Sequence, residues 1–295
     1  MGSADTRHRG RARSRLGGLP TTLPPVASDV DVGAGGFGSG HQLAMPLAVS
    51  PPPRDRREVI PDVVHVPGWL DRDAQRGVVA DFRRWAEPPA GLRHPRMPAG
   101  QLMSVQSVCL GWHWYPYVYS RLAEDTDGAP VKPLPPDVRA LARAAVAEAY
   151  GADSPEAAGY APDAAIVNLY APGAKLGLHQ DGEEPAAAPV VTISLGDTCT
   201  FRLAGVDRRT GPFTDVELHS GDLLVFGRTN RRIFHGVPKV APGTAPEGLG
   251  LPPGRLSITV RETGFSYADR TGGRWPGGVR WPLGVSGRRP ARGLV

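Results

Sequence analysis

The hydrophobic pattern divides the chain into stretches of different character. Residues 1 to 55 show no period: Arg7, Arg9, Arg11, Arg13 and Arg15 are followed by Gly/Pro-rich sequence ending in Pro51-Pro52-Pro53. Such a segment buries too little apolar surface to offset its ordering entropy, so a disordered leader is expected, with a basic arm touching phosphates as the sharper reading. From Val59 the pattern changes. Val63-Val64-His65-Val66 reads as a short strand. Asp71 is placed to cap a helix in which Leu70, Ala74, Val78, Phe82 and Trp85 recur at near-helical spacing as a buried stripe, and Pro88-Pro89 ends it. A second helix opens at Pro136, turns Val138, Leu141, Ala145 and Val146 inward, and stops at Gly151.

Beyond Gly151 the helical period gives way to alternation. Strands are expected at 164–170, 175–180, 190–195, 199–203, 215–219, 222–226, 233–237 and 255–261, punctuated by turns such as Gly196-Asp197 and Ser220-Gly221-Asp222. Short strands at this density predict an α+β, mainly β fold: a double-sheet jelly roll, or double-stranded β-helix, with flanking N-terminal helices. The folded domain is placed at 56–268. A flexible basic tail is expected at 269–295, where six arginines and no acid follow Asp269.

Between the helices lies Gly111-Trp112-His113-Trp114-Tyr115-Pro116-Tyr117-Val118-Tyr119, with five aromatics in eight residues. It fits either a β-hairpin packing one aromatic face on the core, or a lid whose rings stack on a planar ligand. Base–aromatic stacking contributes ~1–3 kcal/mol per base.

Composition narrows the picture only a little. The 295 residues are 40% hydrophobic, enough for a core. No apolar run approaches the ~20 residues that span a bilayer, and the Arg-rich start lacks the apolar region of a signal peptide. Two cysteines, Cys109 and Cys199, make no disulfide framework, so a cytoplasmic, membrane-free monomer is expected. The net charge of +5 suits a polyanion such as nucleic acid. However, 31 of the 34 basic residues are arginine and many lie in the tails, so compositional bias accounts for much of it.

The candidate chemistry centres on Ala165–Asp181. His179-Gln180-Asp181 is a His-x-Asp pair whose side chains, two apart on a strand, leave the same face. With the distant His235 it supplies the parts of a facial triad of the kind that holds non-haem Fe(II). Taken alone, a His-x-Asp is most often a surface coincidence, and its neighbours change that weighting. Asn168 and Tyr170 share a parity just before it. Arg255, Ser257 and Arg261 share one along an otherwise apolar strand. An inward guanidinium needs an anionic partner, because desolvating an unpaired charge costs several kcal/mol. A dicarboxylate would satisfy both arginines; a sheet edge facing solvent is the plainer alternative.

Taken together, Asn168-x-Tyr170-x-x-Gly173, His179-x-Asp181, His235, and Arg255 and Arg261 six apart resemble the AlkB family of iron- and 2-oxoglutarate-dependent dioxygenases. The likeness runs from about residue 60 to 262 and is carried by NLYAPGAKLGLHQD and VVTISLG. It implies Fe(II) on His179, Asp181 and His235, with O2 as co-reactant. It also implies the C1 end of 2-oxoglutarate on Asn168 and Arg261, and the C5 carboxylate on Tyr170, Arg255 and Ser257. Ser257 stands where the family's bacterial members usually carry Asn. The resemblance further implies a nucleotide-recognition lid in the aromatic segment. Met103 and Trp112 would line a lesion pocket, Tyr117 or Tyr119 would lie near the strand backbone, and Glu183 would meet the base's exocyclic amine. The implied activity is oxidative dealkylation of bases such as 1-methyladenine and 3-methylcytosine, releasing succinate and formaldehyde. Single-stranded or damaged DNA is the implied partner, with RNA open. A same-fold dioxygenase acting on tRNA, protein or lipid, or a non-catalytic nucleic-acid-binding module, would share most of these residues.

Overall fold

The computed structural model describes residues 54–266. Its strands are β1 (Arg57–Ile60), β2 (Val63–Val66), β3 (Gln106–Leu110), β4 (His113–Tyr115), β5 (Val118–Ser120), β6 (Ala164–Tyr170), β7 (Leu176–His179), β8 (Val190–Gly196), β9 (Cys199–Leu203), β10 (Thr214–Leu218), β11 (Leu223–Phe226), β12 (His235–Val240) and β13 (Arg255–Arg261). Its helices are α1 (Arg72–Ala86), α2 (Pro136–Tyr150) and α3 (Pro155–Gly159). A seven-stranded sheet in the order β1-β2-β11-β8-β13-β6-β3 faces a four-stranded sheet in the order β10-β9-β12-β7. This is the double-sheet jelly roll, and β4 and β5 form a separate hairpin.

Strand parity divides the large sheet into two faces. Val191, Ile193 and Leu195 of β8, with Leu256, Ile258 and Val260 of β13, join one buried cluster with Val79, Phe82 and Trp85 of α1 and Val138, Ala145 and Val146 of α2. Alternate residues turn inward between the sheets, where Val63, Tyr170, Val190, Leu224 and Phe226 meet Phe201, Leu203 and Val237 of the small sheet. The functional residues come from both sheets: Asn168, Tyr170, Arg255, Ser257 and Arg261 from β6 and β13 of the large sheet, and His179 and His235 from β7 and β12 of the small one.

The α1 stripe differs from the expected one. Asp71 caps the helix by accepting from the Ala74 N–H at 2.8 Å. The buried positions, however, are Gln75, Val79, Phe82 and Trp85, with Ala74 exposed and Val78 half-buried. Gln75 moves the stripe by one place. Its amide donates to the Leu70 carbonyl at 2.8 Å and accepts from the Ser220 hydroxyl at 2.7 Å, so a polar residue is satisfied where an apolar one was expected. In α2, Ala142 is buried and Leu141 only partly so. Strands β1 and β3 and the short α3 have no counterpart among the expected elements.

The boundary of the folded part also moves. Arg54 was assigned to the leader, yet its guanidinium donates to both carboxylate oxygens of the buried Asp222, at 2.6 and 3.0 Å. The remaining leader and the tail at 269–295 lie outside the described residues.

Candidate active site

The two histidines meet because their strands pair. His235 of β12 stands directly opposite His179 of β7, and the ring centroids are 4.4 Å apart. The close approach depends on Gly236, where a Cβ would lie 2.7 Å from the Leu176 carbonyl oxygen. Each ring is oriented by a local bond from Nδ1 to a carbonyl two residues back, His179 to Gly177 and His235 to Ile233, both at 3.0 Å. A carbonyl oxygen only accepts, so each Nδ1 donates and Nε2 is the ring nitrogen turned towards Asp181. Asp181 follows on the same face, its Oδ1 3.7 Å from His179 Nε2 and its Oδ2 3.9 Å from His235 Nε2. One ligand atom from each residue falls within 4.8 Å of the others, the only such His/Cys/Asp/Glu cluster among the described residues.

The surroundings set the charge of each group. His235 lies between Phe201, stacked at 5.5 Å, and Phe226 at 4.9 Å. Burial first, then the neighbouring His179, depress its pKa to about 4, so it is a neutral ligand at pH 7. Burial alone would raise the Asp181 carboxyl, but Arg261, His235 and His179 outweigh it and hold it well below the usual range. Arg261 donates to Asp181 Oδ1 at 2.6 Å, while Oδ2 has no partner.

Beside this triad the register of the large sheet builds a cradle. Arg255 stands opposite Tyr170, and Ser257 opposite Asn168. Arg255 is fully buried, its Nε donating to Ser194 Oγ at 2.9 Å and one Nη to Ser257 Oγ at 3.3 Å. The other Nη has no partner, and among the described residues Arg255 makes no ion pair. Arg261 Nε is likewise buried and unpartnered. Asn168, Tyr170, His179, His235, Ser257 and Arg261 line one cavity, together with Thr192 and Thr259. A buried guanidinium without an anion is a costly arrangement unless an anionic ligand completes it.

The sequence profile of the 2OG-Fe(II) oxygenase superfamily matches residues 62–261. The alpha-ketoglutarate-dependent dioxygenase AlkB homolog of Caulobacter vibrioides is 37% identical over 211 residues, covering 69% of this chain and 88% of that protein. The chain belongs to the AlkB family of Fe(II)/2-oxoglutarate-dependent dioxygenases. The DNA N(6)-methyladenine demethylase ALKBH1D of Arabidopsis thaliana is 33% identical over 219 residues, covering 68% of this chain. The chain spans only about half the length, 49%, of that plant relative. Among solved structures, OsALKBH1 superposes with a TM-score of 0.61 at 32% identity, covering 70% of this chain and all of that one.

The donor set fits the AlkB-family cofactors: two imidazoles and a carboxylate with a spare oxygen suit Fe(II), and two guanidiniums with unspent N–H groups suit a dicarboxylate. The AlkB lid expectations divide. The aromatic segment is a hairpin, and Tyr117 sits at its tip, half exposed, with φ of 70°. Trp112 is almost fully buried, donating to Asp163 at 2.9 Å, with the Arg121 guanidinium over its ring at 3.4 Å and Phe265 at 5.1 Å. A base cannot occupy the ring face that Arg121 covers. Tyr119 is also buried, with its hydroxyl already accepting from Arg261 and donating to Glu184. Met103 packs, partly buried, at the edge of the inter-sheet core. Glu183 is half-buried, and burial, then Glu184 and Asp181, raise its pKa.

Several site residues escaped the sequence reading. Thr192 and Ser194 share a parity in VVTISLG, the same signal that exposed Arg255 and Ser257. Glu184, 1% exposed, accepts from Tyr119, Arg261 and Arg231, and Arg231 also donates to the Asp181 carbonyl. No local pattern distinguishes Glu184 from Glu183; only the fold does.

Proposed function

We propose that this chain is an oxidative demethylase of N-alkylated bases in single-stranded or damaged DNA. The carrying observation is the fully buried Arg255, with an unspent N–H and no counter-charge, on the inner face of the large sheet, while the small sheet packed against it carries His179 and His235 on β7 and β12. A ligand that answers both must chelate a metal and extend a carboxylate to an arginine, as 2-oxoglutarate does. In this reading His179, Asp181 and His235 hold Fe(II). Asn168 and Arg261 receive the C1 end of 2-oxoglutarate, and Tyr170, Arg255 and Ser257 the C5 carboxylate. When bound, iron, O2 and 2-oxoglutarate supply two-electron oxidation of an N-alkyl carbon, with succinate, carbon dioxide and formaldehyde as products.

The chain's own contribution is orientation. The Nδ1 bonds to Gly177 and Ile233 fix both imidazoles, and Phe201 and Phe226 keep water from the His235 side. In this reading Glu183, half-buried with its proton held more tightly than usual, meets a base amine. Tyr117, at the exposed hairpin tip, offers a stacking face, and this reading assigns Met103, partly buried against the inter-sheet core, to the lesion pocket. A base in duplex must be flipped out at a cost of a few kcal/mol, which favours single strands and lesions that pair poorly. Among the described residues no helix is long and apolar enough to cross a membrane, and both cysteines are free. We assign a monomer working in the reducing cytoplasm.

The test is mass spectrometry of pooled oligonucleotides carrying 1-methyladenine, 3-methylcytosine and N6-methyladenine, in DNA and RNA. N6-methyladenine is included because the plant relative is named for it. Loss of methyl from at least one DNA base, dependent on both Fe(II) and 2-oxoglutarate, is expected. Turnover confined to RNA would move the substrate, and turnover of neither would remove nucleic acid from the reading.

A further inference from the structure

One residue of the hairpin reaches the metal site. The Tyr119 hydroxyl accepts from Arg261 Nη1 at 2.8 Å and donates to Glu184 Oε1 at 2.5 Å. Arg261 in turn donates from Nη2 to Asp181 Oδ1 at 2.6 Å. Glu184 is shared with Arg231, whose Nη1 donates to the Asp181 carbonyl. The network thus contains two carboxylates and two guanidiniums and is neutral as built, all of it buried. Within it, Arg261 is held through Nη1 by Tyr119 and Glu184 and through Nη2 by Asp181. Its Nε is left over, as is Asp181 Oδ2, and Arg261 lines the cavity.

From this geometry we infer that Tyr119 is a positioning residue. Its hydroxyl fixes the Arg261 guanidinium so that one Nη secures Asp181 while Nε stays aimed at the ligand carboxylate. The hairpin thereby helps set the cosubstrate cradle as well as the nucleic-acid face. This rests on the reading of the site as an iron and 2-oxoglutarate centre. Glu184 supplies the counter-charge, accepting from Arg261 Nη1 at 3.2 Å, and Tyr119 adds direction: its hydroxyl accepts from the same Nη1 at 2.8 Å and donates to the same Oε1, so the three groups close a ring that a carboxylate alone would not form. The Tyr119 ring has a separate role, packing on Phe265 at 5.5 Å in a small cluster with Trp112. Packing and positioning can therefore be separated by substitution.

The experiment is calorimetric titration of 2-oxoglutarate into the Mn(II)-loaded full chain, for the wild type, Tyr119→Phe and Phe265→Leu. Tyr119→Phe keeps the ring and removes only the hydroxyl. It is expected to weaken 2-oxoglutarate binding about tenfold, the size of one hydrogen bond to a charged group, and to change the visible ligand-field spectrum of the Co(II)-loaded protein. Phe265→Leu loosens the same aromatic cluster and is expected to alter neither. Wild-type-like binding and spectrum in Tyr119→Phe would overturn the inference, as would an equal loss in Phe265→Leu, which would make Tyr119 a packing residue. A wild-type chain that takes up neither Mn(II) nor 2-oxoglutarate would instead overturn the cofactor reading, and this inference with it.

Discussion

At the scale of single residues, stability and function pull Arg255 in opposite directions. A buried guanidinium answered by two serine hydroxyls and the ring of Tyr170, with no carboxylate paired to it among the described residues, destabilises the ligand-free fold. Arg255→Met should therefore raise the melting temperature of the ligand-free protein while weakening 2-oxoglutarate binding by at least tenfold. Thermal unfolding with and without 2-oxoglutarate checks both signs, and a fall in ligand-free stability would contradict the argument. His179→Ala should abolish metal uptake and turnover together, read by metal analysis of the purified protein and by succinate release; retained activity would sink the triad. These residues were legible in the sequence because parity is local. Asn168 with Tyr170 and Arg255 with Ser257 each sit two apart on a strand, so shared facing follows from spacing alone, and Asp181 follows His179 by two just past the end of β7. Glu184 and Arg231 were not legible, because their roles depend on which of several similar polar residues the fold turns inward.

At the scale of elements, the decisive unit is the β7–β12 pair. Its register sets His179 against His235, and Gly236 permits the approach. Gly236→Ala would push a methyl into the Leu176 carbonyl and part the strands. Metal affinity should fall by at least tenfold with far-ultraviolet circular dichroism largely kept, and unchanged affinity would show that the pairing tolerates the shift. The sequence showed both strands but not their pairing, since nothing local to either specifies a partner some sixty positions away. The hairpin was harder still. Its aromatic density fitted a lid and a core element equally, and the structure divides it: Trp112 and Tyr119 face inward and Tyr117 outward. Tyr117→Ala should accordingly weaken single-stranded DNA binding by roughly 1–3 kcal/mol, the value of one stacked base, and leave 2-oxoglutarate binding unchanged. Fluorescence anisotropy with a labelled oligonucleotide reads the first and calorimetry the second.

At the scale of the whole molecule, Asp222 joins the turn before β11 to the start of the fold. It accepts from His65, from both Arg54 nitrogens, and from the Gly68 and His219 N–H groups. Burial opposes its ionisation, but these donors prevail and bring its pKa to about 2. A depressed carboxyl stabilises the fold above its unfolded pKa of about 4, and that stability is lost as pH falls through 2. The shift corresponds to roughly 2 kcal/mol. Asp222→Asn should remove that part of the acid transition, read by denaturant unfolding at pH 7 and pH 3; an unaltered pH dependence would remove Asp222 from the account. The expected architecture was legible because the strand spacing and turn residues were regular. The edge of the domain was missed at Arg54, since an ion pair across the length of the chain leaves no local trace. The central claim concerns the molecule as a dioxygenase of nucleic acid, and one measurement reaches it most directly. Wild-type protein is incubated with Fe(II), 2-oxoglutarate and the pooled alkylated oligonucleotides, and methyl loss and succinate are counted together. The account predicts one succinate for each methyl removed from a DNA base. Succinate formed with every alkylated base left intact would contradict it.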